Sequence, residues 1–159
     1  MIGHAMMGAL DPLGIQSFDG YVPNEKDEVM KEYTKRALCL RKSRNSLLSL
    51  SAQKRNLSEE VDSENLANLV GTKTAYDAFH NLERGYRDQY LAGLEMTGQQ
   101  LFFFNYCAKM CAEDNAEVPL YETHRLSCIV PLMNMKEFSS AFGCAAKTPM
   151  NPQEKCAFW

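Results

Sequence analysis

Apolar residues in this chain recur at three- and four-residue intervals and almost never alternate strictly, so the fold open to it is mainly α. From Asn24 to about Arg41, Val29, Tyr33, Ala37 and Leu40 share one helical face. From about Ser63 to His80, Leu66, Leu69, Val70, Ala75 and Phe79 repeat the pattern, with Gly71 as its weak point. Residues 1–10, rich in Met and Ala, read as an apolar helical segment that Asp11-Pro12 and Gly14 bring to an end. Gly14, Gly20 and Pro23 then mark turns, and residues 42–62, polar and Ser-rich, read as a short helix plus an exposed loop.

Thr97 followed by Gln100 is a capping box opening a helix that runs to about Ala112. Its Leu101-Phe102-Phe103-Phe104 run is apolar nearly all round, which predicts burial. Asn134 with Glu137 opens a short helix ending near Phe142, and Asn151-Pro152 with Glu154 opens a last helical turn. No internal repeat, low-complexity tract or convincing run of strands is present.

At 159 residues the chain is long enough for one domain with its own core. A formal net charge of −3 without a basic block argues against nucleic acid as a partner. No apolar run reaches the length of about 18 residues that spans a bilayer, and Met1-Ile2-Gly3-His4 lacks a signal-peptide pattern. The cysteines are Cys39, Cys107, Cys111, Cys128, Cys144 and Cys156; an even number suits an oxidising compartment, and no CxxC pair suggests a zinc ribbon. Cys107 and Cys111 share a helical face, where a disulfide between them would be strained. Asn56-Leu57-Ser58 is a glycosylation sequon at Asn56, a pattern that also arises by chance, and it leans with the cysteines towards an extracellular setting.

Three stretches carry a family likeness. The C-terminus reads Asn134, Phe138, Ala141-Phe142, Cys144, Pro149-Met150-Asn151-Pro152 and Cys156-Ala157-Phe158-Trp159. Leu101-Phe102-Phe103-Phe104-Asn105-Tyr106 is followed by Cys111, and Ser63-Glu64-Asn65-Leu66-Ala67-Asn68 lies upstream. In this order and spacing they resemble the neprilysin and endothelin-converting-enzyme family of zinc metallopeptidases, across essentially the whole chain. The resemblance implies the helical C-terminal portion of a thermolysin-like zincin catalytic domain, occupying residues 1–159, with the N-terminal lobe and the substrate edge strand outside this chain.

That family binds zinc through H-E-x-x-H on a helix. Two imidazoles at i,i+4 project from one face onto one ion, and the Glu between them polarises the zinc-bound water. The matching stretch here is His4-Ala5-Met6-Met7-Gly8. His4 keeps the first ligand, Ala5 replaces the general base, and Gly8 replaces the second ligand. Asp11 matches an acidic residue of the family. Glu64 matches the third zinc ligand, and Asn68 stands where an Asp normally hydrogen-bonds a ligand histidine from behind. Without the likeness, His4 reads as a surface histidine on an apolar helix, and Glu64 as a carboxylate favoured by the dipole of a helix's first turn.

Counting back from Cys144, Tyr121 and Ser127 fall at the family's substrate-binding His and oxyanion-stabilising Arg. His124 and Arg125 lie nearby but adjacent, so a simple shift restores only one of them. A Tyr can donate one hydrogen bond to an oxyanion, whereas a Ser does not replace an Arg charge. The resemblance further implies a Cys39–Cys156 disulfide. It leaves Cys111 and Cys144 without partners unless they pair with each other, and Cys107 and Cys128 free to pair together.

The expected function is therefore that of a non-catalytic relative, or a fragment, of a zinc metalloendopeptidase family. Zinc is expected to be absent or sub-stoichiometric, since His4 and Glu64 are two ligands where three or four are needed. The setting implied by the family is extracellular or a plasma-membrane ectodomain, and the partner a peptide or protein. The competing expectation is a working endopeptidase with rearranged ligands that processes small extracellular peptides.

Overall fold

The computed structural model describes residues 2–12, 14–15, 28–48, 59–111 and 118–158, with the side chains of residues 59–60 and 118–123 outside that description. Asn56, Gly20, Pro23 and Trp159 lie outside the described residues. The architecture is mainly helical, as the periodicity predicts. The elements are α1 (Ile2–Leu10), α2 (Glu28–Asn45), α3 (Glu59–His80), α4 (Arg84–Arg87), β1 (Tyr90–Leu91), β2 (Met96–Thr97), α5 (Gly98–Ala108), α6 (Val118–Asn134) and α7 (Lys136–Ala141). None of the described helices is long and apolar enough to cross a membrane.

The chain divides into two compact units, residues 1–71 with 156–159, and residues 72–155. In the first unit, Met7 of α1 packs with Ala67 and Val70 of α3, and Phe158 lies against them. On α2, Ala37, Leu40 and Arg44 turn inward. Val29, expected on the same face, is instead 78% exposed, since the inward stripe starts later along the helix. Cys39 of α2 is joined to Cys156 by a disulfide. Both ends of the stretch read as a short helix plus an exposed loop belong to the flanking helices. α2 continues to Asn45 and α3 begins at Glu59, so Glu64 sits beyond the first turn and the dipole reading of it does not hold. Asp11 does more than stop α1: its Oδ1 accepts from the Gly14 amide at 2.6 Å and its carbonyl from the Ile15 amide at 2.9 Å.

The second unit is organised around aromatic rings. Tyr76 of α3 stacks on Phe103 of α5 at 5.2 Å between centroids, and Phe103 meets Phe138 of α7 edge-on at 5.5 Å. Phe138 in turn lies 4.9 Å from Phe142. The run Leu101–Phe104 is not uniformly buried: Phe103 is 1% exposed but Phe104 is 52% exposed, because one helix side faces outward whatever its composition. Ala75, likewise expected inside, is exposed. The capping box holds, with Thr97 Oγ1 accepting from the Gln100 amide at 3.2 Å and Gln100 Oε1 accepting from the Thr97 amide at 3.0 Å. α5 ends at Ala108, short of Ala112.

Four local features depart from the sequence reading. β1 and β2 form a small antiparallel hairpin, Tyr90 opposite Thr97 and Leu91 opposite Met96. α6 was not anticipated; it carries Pro131 inside it, yet buries Leu126, Val130, Leu132 and Met133. Asn134 does not cap α7: the N-cap is Met135, and Asn134 Nδ2 donates back to the Val130 carbonyl at 2.8 Å, finishing α6 instead. Asn151 forms a bridge with Thr148 rather than a helical turn, and its Nδ2 donates to the Cys144 carbonyl at 2.8 Å.

Candidate metal centre

The helical geometry that the zinc motif needs is present in α1, and the side chains are not. His4 and Gly8 are one turn apart on that helix. A Cβ placed on Gly8 would meet none of the described residues within 4 Å. Ala5 is exposed and offers a methyl group where the base would stand.

His4 reaches α3. Its Nε2 lies 3.1 Å from both carboxylate oxygens of Glu64, a contact across 60 residues of sequence. The two side chains are 39% and 49% exposed, so water screens this pair. Asn68, one turn beyond Glu64, donates its Nδ2 to Glu64 Oε1 at 3.0 Å. At Gly71, a further turn along, an added Cβ would fall 2.8 Å from the His4 backbone nitrogen. The hydrogen side chain of Gly71 is thus what lets α1 lie close enough for His4 to meet Glu64.

Asp11 is buried and accepts a hydrogen bond from the Ser63 hydroxyl, which ties the end of α1 to the residue preceding Glu64. Beside it, Arg41 of α2 makes a two-point ion pair with buried Asp62, its Nε donating to Oδ1 at 3.1 Å and its Nη2 to Oδ2. Neither the Ser63–Asp11 contact nor the Arg41–Asp62 pair leaves a mark in the sequence, because a polar residue in a polar stretch does not announce its partner. A cavity of about 160 Å³ lies against them, lined also by Tyr33, Thr34 and Leu38.

Tyr121 and Ser127 both lie on α6, in the second unit. Ser127 is buried and its carbonyl accepts from the Tyr106 hydroxyl at 2.8 Å. The side chain of Tyr121 is outside the description. His124 is half-buried and Arg125 exposed on the same helix. Cys107 and Cys128 form a disulfide linking α5 to α6, while Cys111 and Cys144 are free thiols. Among the described residues, no three His, Cys, Asp or Glu side chains converge as a metal would require. Among the described residues, the donors around His4 are one imidazole and one carboxylate, fewer than the three or four that a zinc site needs.

Residues 1–158 match the sequence profile of Peptidase family M13. The chain is 32% identical to Neprilysin-1 of Trittame loki, over 100% of this chain and 24% of that protein. It is 30% identical to endothelin-converting enzyme 1 of Rattus norvegicus, over 100% of this chain and 22% of that one. It is 34% identical to membrane metallo-endopeptidase-like 1 of Homo sapiens, over 60% of this chain and 13% of that one. The chain thus spans at most about a quarter of the length of these relatives. No solved structure matches it. A match along nearly the whole chain, together with the order of its motifs, places this protein in the neprilysin and endothelin-converting-enzyme family of zinc-dependent metallopeptidases.

Proposed function

We propose that this chain is a non-catalytic member of the family, corresponding to the C-terminal part of a catalytic domain, that binds peptide or protein instead of cleaving it. The observation that carries this reading is the set of side chains on α1: an alanine where water activation needs a carboxylate, and a glycine where zinc needs a second imidazole. Loss of a positioned general base alone typically costs about 10²–10⁴ in rate. Without the second imidazole, Glu64 and His4 are two donors where a catalytic zinc has three. With Ser127 in place of the oxyanion-stabilising Arg, the charge expected opposite the developing negative oxygen is missing as well. The reading includes an extracellular or membrane-surface setting, supported by the two disulfides and by the printed name of one relative, and zinc far below one ion per molecule.

Metal content of the purified, folded chain tests this directly, with well under one zinc per molecule expected. The double substitution Ala5→Glu with Gly8→His should raise occupancy, because a Cβ at Gly8 meets none of the described residues. Stoichiometric zinc in the unsubstituted chain, with peptide hydrolysis that a chelator abolishes, would instead establish a working endopeptidase with rearranged ligands.

A further inference from the structure

The cavity of about 160 Å³ beside Asp11 and Asp62 is built within the first unit. One wall is a stripe of α2, where Met30, Tyr33, Thr34, Ala37, Leu38 and Arg41 recur at the three- and four-residue steps that keep side chains on one helix face. Thr34 and Leu38 are exposed, so the cavity meets solvent on that side. The opposite end is acidic, with Asp11 and Asp62 each 5% exposed. The two carboxylates are compensated differently. Asp62 receives Nε and Nη2 of Arg41 in a two-point ion pair. Asp11 accepts from the Gly14 amide and the Ser63 hydroxyl, which are neutral, and no cationic side chain among the described residues pairs with it. Two carboxylates and one guanidinium leave the lining with a net negative charge at its buried end. Burying a carboxylate is costly until a counter-charge meets it. A carboxylate has roughly four acceptor sites, so Asp11 can take further donors beside those two.

We propose that this cavity binds a small organic cation, an alkylammonium or alkylguanidinium group on an apolar stem about as long as a lysine or arginine side chain. The size fits, since a cavity of roughly 150 Å³ admits a molecule as large as benzene. The stem lies against Met30, Ala37 and Leu38, and the N–H donors of the charged end meet the oxygens of Asp11 and Ser63. An anion is disfavoured, because Arg41, the cation of the lining, is already held by Asp62. A neutral apolar guest would fill the space and leave the Asp11 charge unanswered. A free amine and a basic side chain of a peptide carry the same chemistry. The inference goes beyond the function proposed above: it uses neither His4 nor Glu64, and it holds for a chain with or without zinc.

The test is calorimetric titration of the 159-residue chain with butylammonium chloride. Saturable binding in the millimolar range or tighter is expected, with 1-butanol, a neutral molecule of the same size, at least tenfold weaker. Asp11→Asn should weaken butylammonium binding at least tenfold. Because Asp11 also closes the turn after α1, Thr34→Trp serves as a second variant: it fills the cavity from an exposed position and should abolish binding with helical circular dichroism unchanged. Lys136→Gln, in the second unit, should leave binding as it was. N-acetyl-lysinamide identifies the source. Binding as tight as that of butylammonium assigns the site to a peptide side chain, failure beside a bound butylammonium assigns it to a free amine, and both uphold a cation site. The idea is overturned if butylammonium shows no saturation by about 10 mM, if 1-butanol binds equally well, or if a folded Asp11→Asn or Thr34→Trp binds as the unsubstituted chain does.

Discussion

Two glycines near the candidate centre call for opposite treatment. At Gly71 a methyl group would press on the His4 backbone at 2.8 and 3.2 Å, and neither atom is free to swing away. Gly71→Ala is therefore expected to destabilise the protein by about 1–3 kcal/mol through overpacking. At Gly8 the added carbon meets none of the described residues, and relief of glycine's backbone entropy should make Gly8→Ala neutral or stabilising by up to about 1 kcal/mol. Urea unfolding of both variants checks the pair, and equal effects would mean that α1 does not lie on α3 as described. At this scale the sequence was informative only through its likeness to a family. Nothing local in His4 or Glu64 announces a partner 60 residues away. Asp62 and the contact of Ser63 with Asp11 were passed over because burial and pairing are set by α1 and α2, which no short window contains.

Among the elements, α3 and α7 are joined by a charge pair whose pH dependence can be worked out. Lys73 Nζ lies 2.9 Å from Glu137 Oε1 and 3.0 Å from Asp77 Oδ1. Burial pushes the Glu137 carboxyl up, but the hydrogen bond from Lys73, a backbone N–H and the nearby ammonium charges outweigh it. The group therefore ends below its ordinary 4.5. A depressed folded-state value means stability that is fully present above the unfolded value and lost as pH falls through the folded one. Melting temperature should thus drop as the pH is lowered below about 4.5. Glu137→Gln should melt earlier at neutral pH, by roughly 1 kcal/mol for a partly screened pair, and fall less on acidification. An acid limb of identical depth in both proteins would exclude Glu137 as a contributor. The elements that were legible beforehand are those with local signals, such as the Thr97–Gln100 box at the start of α5. α6 was not legible, because Pro131 reads as a breaker, and packing of Leu126, Val130 and Met133 overrides it. The cap of α7 was misplaced by one residue because Asn134 spends its amide on the helix before it.

For the molecule as a whole, the α class follows from apolar spacing and survives every misplaced boundary, whereas the two-unit division leaves no trace in composition. The Cys39–Cys156 bond spans 117 residues. Removing it by Cys156→Ser should cost about 4–5 kcal/mol if restriction of the unfolded chain dominates, measured as a shift in denaturant midpoint against the oxidised protein. A shift no larger than that of an ordinary surface substitution would assign the bond little thermodynamic weight. The same bond has a covalent consequence. The chain leaves its first unit after Gly71 and returns to it only at Cys156, so the whole of residues 72–155 hangs within a closed ring. A single protease cut inside that ring releases nothing. The cleaved protein keeps its full mass on a non-reducing gel and falls into two pieces only when thiol is added, so that a nicked preparation passes for an intact one until it is reduced.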